Sequence, residues 1–249
     1  MHGISCVRGG YSVNTLLLYI KFELFKQNPK PIIGYSDITV LLNAIYTKTG
    51  LISYLGPNFS TFGQKDQKGS SLYNEEYFKK CLMDDKPYEI IPSTYFSERK
   101  IAPKRNTGPL VIQNGTATGI IIGGNLCSLN LLQGTEYMPS LKEKILFIEE
   151  DDFGGEHTPH EFERNLESLL QIPDAKYIRG IVFGRFQADS KMTVKRLTHI
   201  LSSKRISKKI PIIANIDFGH TMPMATIPIG GEAKVEAKKN ETKITITKH

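Results

Sequence analysis

Three short runs of the chain are apolar at almost every position, and they restrict the fold more than any other feature. They read KILFIE, GIVFG and PIIANI, and they begin at residues 144, 180 and 211. A strand with one wet face alternates apolar and polar residues, whereas a strand covered on both faces is apolar throughout. The three runs therefore predict strands buried on both faces, and residues 158–170, between the first two, have the spacing of an amphipathic helix.

The first sixty residues show strands followed by helices. The run PIIG, from residue 31, predicts a strand, residues 38–49 predict a helix that ends at Gly50, and LISYLG predicts the next strand. A short apolar stretch before Arg8, followed by a predicted helix, precedes them. Two strand–helix units in succession predict an open α/β sheet with parallel strands.

The second half is richer in β-branched residues and glycine turns. Residues 63–71, GQKDQKGSS, are polar and contain glycine, which predicts a linker or a flexible lid. We therefore predict two domains, a partial N-terminal α/β domain over residues 1–75 and a β-rich C-terminal domain over residues 76–249. The alternating tail predicts an edge hairpin that turns near Asn240.

Composition narrows the class of protein. The 249 residues are 40% hydrophobic and 23% charged, as in globular proteins with a real core. No apolar run approaches the roughly 18–20 residues that span a bilayer, and the start has no signal-peptide pattern, so we expect a cytoplasmic protein that does not bind membranes. The three cysteines are far apart and predict neither a disulfide framework nor a metal site.

The net charge of +7 leaves nucleic-acid binding open as an alternative. The lysines of the chain are scattered, however, and they lack the interleaved aromatic residues with which proteins bind single-stranded nucleic acid. Charge alone is a weak signal for such a partner, so we expect none. A basic chain of this kind can also attract a small anionic substrate.

Ser36 lies where the strand before it turns into a helix, in the sequence GYSD. Serine nucleophiles are often held on such a corner, where the next backbone N–H, here that of Asp37, points at a developing oxyanion. The corner lacks the second glycine of the G-x-S-x-G motif. An alternative is that Ser36 only caps the helix, with Asp37 favoured by the helix dipole.

A serine nucleophile needs a base and a group that orients the base. Of the six histidines, His220 follows a buried run and is flanked by glycine and turn formers. Glu149 ends another buried run, where a carboxylate is costly unless it is paired. Ser36, Glu149 and His220 would all lie at carboxyl ends of strands, where open α/β sheets bind ligands.

Each of these residues has a simpler alternative. His220 could be a structural histidine in a loop. The acidic run at residues 149–152 could be a solvated turn or a divalent-cation site, although it lacks the spaced ligands and glycine of a calcium loop. Glycine pairs, among them Gly9–Gly10, could cradle a phosphate, but neither G-x-x-x-x-G-K-[ST] nor G-x-G-x-x-G occurs. Asn125, after the second pair, is a predicted helix cap. We predict no metal and no cofactor.

Six stretches in this order resemble the LD-carboxypeptidase family of serine peptidases: RGGY, NPKPIIGYSDIT, GGNLCSLNLLQGTEYMP, ILFIEEDD, GIVFGRF and NIDFGHTMPMATIPIGG. The resemblance implies a flavodoxin-like N-terminal domain that carries the serine and a swivelling β-rich C-terminal domain that carries the other two groups. It implies a triad of Ser36, Glu149 and His220, and an oxyanion hole made of the backbone amides of Asp37 and of the Gly9–Gly10 pair, with Gly10 favoured.

The family has two branches. One cleaves muropeptides at an L-to-D amide bond, and the other, the microcin C self-immunity peptidases, cuts an amide that joins an acidic residue to a modified nucleotide. The stretches GGNLCSLNLLQGTEYMP and GRFQ and the insert at residues 74–93 are more similar to the immunity branch. The resemblance also implies a metal-independent, cytoplasmic homodimer whose substrate is a small peptide, a muropeptide or an aminoacyl-nucleotide.

Family members have a further N-terminal stretch that precedes the RGGY motif. Its absence here predicts an exposed sheet edge in the first domain, and a truncated gene, a misassigned start or a partner that covers the edge would each account for it. The alternative function is therefore a catalytically inactive binding protein of the same fold.

Overall fold

The computed structural model describes residues 3–64, 68–98, 101–239 and 241–249. Its strands are β1 (Ile4–Ser5), β2 (Ile32–Gly34), β3 (Ser53–Leu55), β4 (Tyr88–Glu89), β5 (Tyr95–Glu98), β6 (Ile101–Arg105), β7 (Leu110–Gln113), β8 (Gly115–Asn125), β9 (Lys144–Glu149), β10 (Gly180–Gly184), β11 (Ile212–Ile216), β12 (Ile227–Ile229), β13 (Glu232–Lys238) and β14 (Glu241–Lys248). Its α-helices are α1 (Phe22–Gln27), α2 (Thr39–Thr49), α3 (Phe59–Phe62), α4 (Ser70–Leu82), α5 (Leu126–Asn130), α6 (Thr158–Leu170) and α7 (Val194–Ser202).

The predicted buried strands form the centre of an eight-stranded sheet with the order β4-β14-β13-β8-β9-β10-β11-β7. Strands β8, β9, β10 and β11 are parallel neighbours. Phe147 on β9, Phe183 on β10 and Ile213 on β11 have no exposed surface. The α/β class and the three strands predicted to be buried on both faces are therefore confirmed.

A smaller sheet of four strands has the order β1-β2-β3-β12. Strands β1, β2 and β3 are parallel, as predicted, and β12 is antiparallel to β3. Because β12 comes from the C-terminal part of the chain, residues on both sides of the predicted domain boundary build this sheet. The outer strand, β1, has exposed side chains. The boundaries of the two domains stay a prediction.

The predicted edge hairpin is wrong in one respect. Strands β13 and β14 do form an antiparallel pair, but β4 pairs with the outer side of β14 and takes the edge. Alternation along a strand shows which residues are buried and does not show which segment pairs beside it. The turn predicted at Asn240 lies outside the described residues, and so do residues 65–67 of the predicted linker. The last two residues of that linker, Ser70 and Ser71, begin α4.

Helix α2 lies between the two sheets and positions the site. Its buried residues include Val40, Leu42 and Ala44, and it packs against β3, β8 and α5. Gly50, predicted as its stop, takes a left-handed φ of 73° just after its last turn. Within the described residues, no helix combines the length and apolar character that a membrane crossing requires.

Candidate active site

Ser36 occupies the corner between β2 and α2 in an unusual backbone conformation. Its φ is 65°, in the left-handed region that residues other than glycine seldom adopt. It begins a short 3₁₀ turn, Ser36–Ile38, whose cap residue is Tyr35, and the Ser36 side chain makes no capping hydrogen bond to this turn or to α2. Strained backbone of this kind costs about 1–3 kcal/mol and concentrates at functional sites. The helix-cap alternative for Ser36 does not describe this corner.

The corner is packed tightly enough to require glycine at position 34. A Cβ atom there would lie 2.9 Å from Ile38 Cγ2, 3.0 Å from Asn58 Oδ1 and 3.1 Å from Cys6 Cβ. Asn58 accepts a hydrogen bond from the backbone N–H of Tyr35 at 3.3 Å. The backbone before Ser36 is thereby held against β1 and the loop after β3.

The structure brings together the three residues that the sequence singled out. His220 Nδ1 lies 2.6 Å from Glu149 Oε2, and His220 Nε2 lies 3.1 Å from Ser36 Oγ. Glu149 is buried at the carboxyl end of β9, and its other oxygen, Oε1, has no hydrogen-bond partner among the described residues. In the neutral imidazole, Nδ1–H donates to Glu149 and leaves Nε2 free to accept the proton of the Ser36 hydroxyl.

Glycine at position 219 permits the close contact between histidine and glutamate. Gly219 has a φ of 96°, and a Cβ atom there would lie 2.7 Å from Glu149 Oε2. Any larger residue would occupy the space through which the imidazole and the carboxylate meet. The glycine before His220, which the sequence suggested only as a turn former, is therefore required by packing.

Burial and neighbouring carboxylates act in opposite directions on His220. Burial lowers the pKa of the imidazole, but the charge of Glu149 and its hydrogen bond, helped by Asp151 and Glu150, raise the pKa of His220 to about 9. Glu150, the next residue along, is also perturbed. Burial, followed by the charges of Glu149 and Asp151, raises the pKa of Glu150 to about 8.

The first glycine pair lies directly against the serine. A Cβ atom on Gly9 would be 2.8 Å from Ser36 Cβ and 3.1 Å from its Oγ, whereas one on Gly10 would be 3.7 Å from Asp37 Oδ2. The buried Asp37 carboxylate accepts a hydrogen bond from the backbone N–H of Val13 at 3.0 Å. The structure thus places Gly9, Gly10 and Asp37 around Ser36.

Helix α2 is fastened to the strand beside Glu149. Thr39 Oγ1 accepts the backbone N–H of Asn125 at 2.9 Å, and Asn43 exchanges hydrogen bonds with the N–H and C=O of Gly123. Asn125 is paired with Glu149 between β8 and β9. It also caps α5, as predicted, by accepting the backbone N–H of Ser128. These contacts determine how far Ser36 lies from Glu149.

Comparison with known families matches two parts of the chain. The model of the LD-carboxypeptidase N-terminal domain matches residues 1–56, and that of the C-terminal domain matches residues 118–235. The putative carboxypeptidase YocD of Bacillus subtilis is 47% identical over 97% of this chain and 74% of its own length. The chain belongs to the LD-carboxypeptidase family. As a member of this family it is a serine carboxypeptidase.

Other members show the range of the family. A probable murein peptide carboxypeptidase of Bacillus subtilis is 30% identical over 92% of this chain and 67% of its own length. The crystal structure of an MccF-like protein from Bacillus anthracis, 47% identical, superposes with a TM-score of 0.95 over 99% of this chain and 76% of that one. A third relative is MccF, the microcin C7 self-immunity protein of Escherichia coli. Its structure in complex with aspartyl sulfamoyl adenosine is 30% identical and superposes with a TM-score of 0.81 over 98% of this chain and 75% of that one.

In this member of the family, Ser36 and His220 open into a cleft of about 1040 Å³. Arg8 is the one lysine or arginine among the described residues that line it. Six carboxyl side chains also line the cleft: Asp37, Glu98, Glu150, Asp151, Asp152 and Glu161. The cleft is therefore acidic although the whole chain is basic.

Sequence reasoning missed several residues of this cleft. The Tyr35 ring stands edge-on to the imidazole of His220, with centroids 5.1 Å apart. Glu98 is buried in the cleft wall and accepts the backbone N–H of Ala188 at 2.7 Å. Tyr35 could have been suspected from its place beside Ser36, but nothing in the sequence around Glu98 points to a cleft. In the part of the chain that the structure describes, no three histidine, cysteine or carboxylate side chains are grouped to hold a metal ion, and the absence of a metal stays a prediction.

Proposed function

We propose that this family member hydrolyses an amide bond with Ser36 as nucleophile, His220 as general base and then general acid, and Glu149 as the group that orients the imidazole. One observation carries the proposal: the imidazole is hydrogen-bonded to the serine and to the buried glutamate at once, at 3.1 and 2.6 Å. In such an arrangement the base removes the hydroxyl proton during attack and later gives it to the leaving amine.

The backbone amides of Asp37 and Gly10, with Gly9 beside them, are the proposed oxyanion hole. Support comes from the position of Gly9, where a side chain would collide with Ser36. A glycine pair at this place lets the backbone approach a tetrahedral intermediate closely. Loss of one such donor typically slows a reaction by about 100- to 1,000-fold.

The proposed substrate is a small peptide, either a muropeptide or an aminoacyl-nucleotide. The relative with a murein peptide in its name supports the first, and the MccF complex with aspartyl sulfamoyl adenosine supports the second. Glu150 is protonated at neutral pH, and the other five carboxyl side chains still outnumber the one arginine in the cleft, which disfavours the charge of a nucleotide phosphate. The muropeptide is therefore the first choice, although the sequence motifs lean towards the immunity branch.

The test is incubation of the purified protein with two substrates, an LD-linked tetrapeptide and an aspartyl-adenylate amide, with products identified by mass spectrometry. We expect hydrolysis of the tetrapeptide to be the faster. Ser36→Ala should lower turnover by at least about 1,000-fold and leave the melting temperature nearly unchanged, because His220 is the one hydrogen-bond partner of the hydroxyl among the described residues. Ser168→Ala, on the exposed face of α6, is the matched control and should keep full activity.

The inactive binding protein is tested in the same experiment. A serine-directed fluorophosphonate should label the wild-type protein and Ser168→Ala but not Ser36→Ala. If the wild-type protein binds either substrate, yet is neither labelled nor active, the chain is a binding protein and the hydrolase proposal fails.

A cytoplasmic location and a homodimer also follow from the family resemblance and are part of this proposal. Light scattering on the purified chain measures its mass in solution. A mass of one chain at concentrations of tens of micromolar would contradict the dimer.

A further inference from the structure

The loop that carries His220 is held at several points by hydrogen bonds to other parts of the chain. Its two ends are joined where Ala225 donates its backbone N–H to the carbonyl of Asp217 at 2.7 Å. Two residues after the histidine, Met222 exchanges two backbone hydrogen bonds with Ser97 on β5, at 2.7 and 2.9 Å. The loop over residues 217–225 therefore depends on strand β5 for its shape.

At the base of this loop lies a buried ion pair. Arg185 Nη2 donates to Asp217 Oδ1 at 2.7 Å, and the two side chains are only 5% and 1% exposed. Asp217 also accepts the backbone N–H of Ser93 at 2.7 Å and the amide of Asn106 at 3.1 Å. Since Arg185 follows β10 and Asp217 follows β11, the pair ties the carboxyl ends of these strands to the chain on either side of β5 and β6.

The arginine is held as firmly as the aspartate. Its guanidinium donates to Asn106 Oδ1 at 2.9 Å and to the side chain of Asn215, and it lies 4.2 Å from the centre of the Phe96 ring on β5. None of Arg185, Asp217 and Asn106 is among the residues that line the cleft. These groups can influence the reaction only through the loop that they hold.

We propose that Arg185 and Asp217 are positioning residues that hold the loop of His220 so that its imidazole meets Glu149 and Ser36. The inference rests on the proposed function, since it assigns His220 a part in the reaction. A buried ion pair contributes little net stability compared with apolar residues of the same shape, and in the proposed role this pair fixes one arrangement of the loop. A misplacement of about 1 Å at a reacting group can cost about 100-fold in rate.

The first test is Arg185→Lys, which keeps the buried charge and one bond to Asp217 but loses the planar fork that also reaches Asn106 and Asn215. We expect kcat on the tetrapeptide to fall by about 10- to 100-fold with KM changed less than about threefold, because Arg185 itself does not line the cleft. Asn106→Ala, a milder change at a half-buried residue, should lower kcat in the same direction by a smaller factor.

A second readout separates positioning from general loss of structure. The imidazole of His220 faces the carboxyls of Glu149, Glu150 and Asp151 and the ring of Tyr35. NMR can follow the titration of the Cε1 proton of this imidazole. The signal is assigned by its absence from the spectrum of His220→Gln. In Arg185→Lys and in Asn106→Ala, a looser contact with Glu149 should lower the pKa of His220 measurably. The reason is that burial, which lowers this pKa, is then less fully offset by the carboxylate of Glu149.

Lys204→Met is the matched control. The Lys204 side chain is also buried and pairs with Glu163 and Glu167 at 3.1 and 3.2 Å, outside the cleft. The Lys204→Met variant should be less stable than the wild-type protein, with no change in the pKa of His220. An unchanged pKa of His220 in both Arg185→Lys and Asn106→Ala would overturn the positioning role, whatever happens to their melting temperatures. If the wild-type protein hydrolyses neither substrate, the proposed function fails, and the NMR comparison still decides whether these residues position His220.

Discussion

The backbone of Ser36 is strained, and its side chain contacts His220. The left-handed φ of 65° is unfavourable for any residue with a Cβ atom, and it turns the hydroxyl towards His220. The strain is maintained because Gly9 and Gly34 leave no room for the corner to relax. The sequence predicted the corner from the strand before it and the helix after it, but no local pattern predicts a positive φ at a serine.

We expect Ser36→Gly to be more stable than Ser36→Ala by about 0.5–1 kcal/mol. Both lack the hydroxyl, but alanine pays about 1–2 kcal/mol for the left-handed conformation, and the greater freedom of glycine in the unfolded chain offsets part of that gain. Urea unfolding measures the difference. The control pair at Ser168, inside α6, should have the opposite sign, with alanine more stable than glycine by about 1 kcal/mol. Equal stability of the two Ser36 variants would show that the corner is not strained.

The contact between α2 and β8 decides the geometry at the level of elements. Thr39, in the first turn of α2, fits against Gly124, which has a φ of 124° and leaves space for the threonine only because it lacks a Cβ atom. Ser36 lies three residues before Thr39, and Glu149 lies on the strand next to β8. Together with the hydrogen bonds of Thr39 and Asn43 to β8, this close approach sets the distance between the serine and the glutamate.

Gly124→Ala should destabilise the protein by about 3 kcal/mol, because the new Cβ would lie 2.4 Å from Thr39 Oγ1 in an already unfavourable backbone region. It should also reduce fluorophosphonate labelling of Ser36 by moving α2. Gly50→Ala is the control, since Gly50 also has a positive φ but nothing lies within 4 Å of its added Cβ. This variant should lose about 1 kcal/mol of unfolding free energy from the backbone conformation alone and keep full labelling. Similar losses in the two variants would contradict the steric argument.

For the molecule as a whole, the site makes stability depend on pH. The pKa of His220 is raised from 6.5 to about 9, so its contribution is fully present below pH 6.5 and is lost as the pH rises through 9. The pKa of Glu150 is raised from 4.5 to about 8, so the folded state also binds this proton more tightly, and that contribution is lost as the pH rises through 8. Both groups act in the same direction.

We therefore expect the free energy of unfolding, measured in urea, to fall between pH 6.5 and 9. Glu150→Gln should fall less over this range, because it has no carboxyl group to ionise. Glu156→Gln, at an exposed glutamate, is the control, and its stability should decline as that of the wild-type protein does. If Glu150→Gln and the wild-type protein lose stability equally, Glu150 is ionised already at pH 6.5 and the argument from its burial is wrong.

Local residue patterns were enough to predict the parallel strands buried on both faces, the helix after Ser36, and Glu149 and His220 as the polar residues at strand ends. These follow from periodicity and from the cost of burying a charge, which are local properties of a chain. Three features could be seen only in the folded chain: β4 covers β14, β12 joins the smaller sheet, and Arg185 meets Asp217. Contacts between segments as far apart as Ser36 and His220, 184 residues along the chain, arise from packing of the whole fold, because a residue pattern records burial but not the partner that provides it.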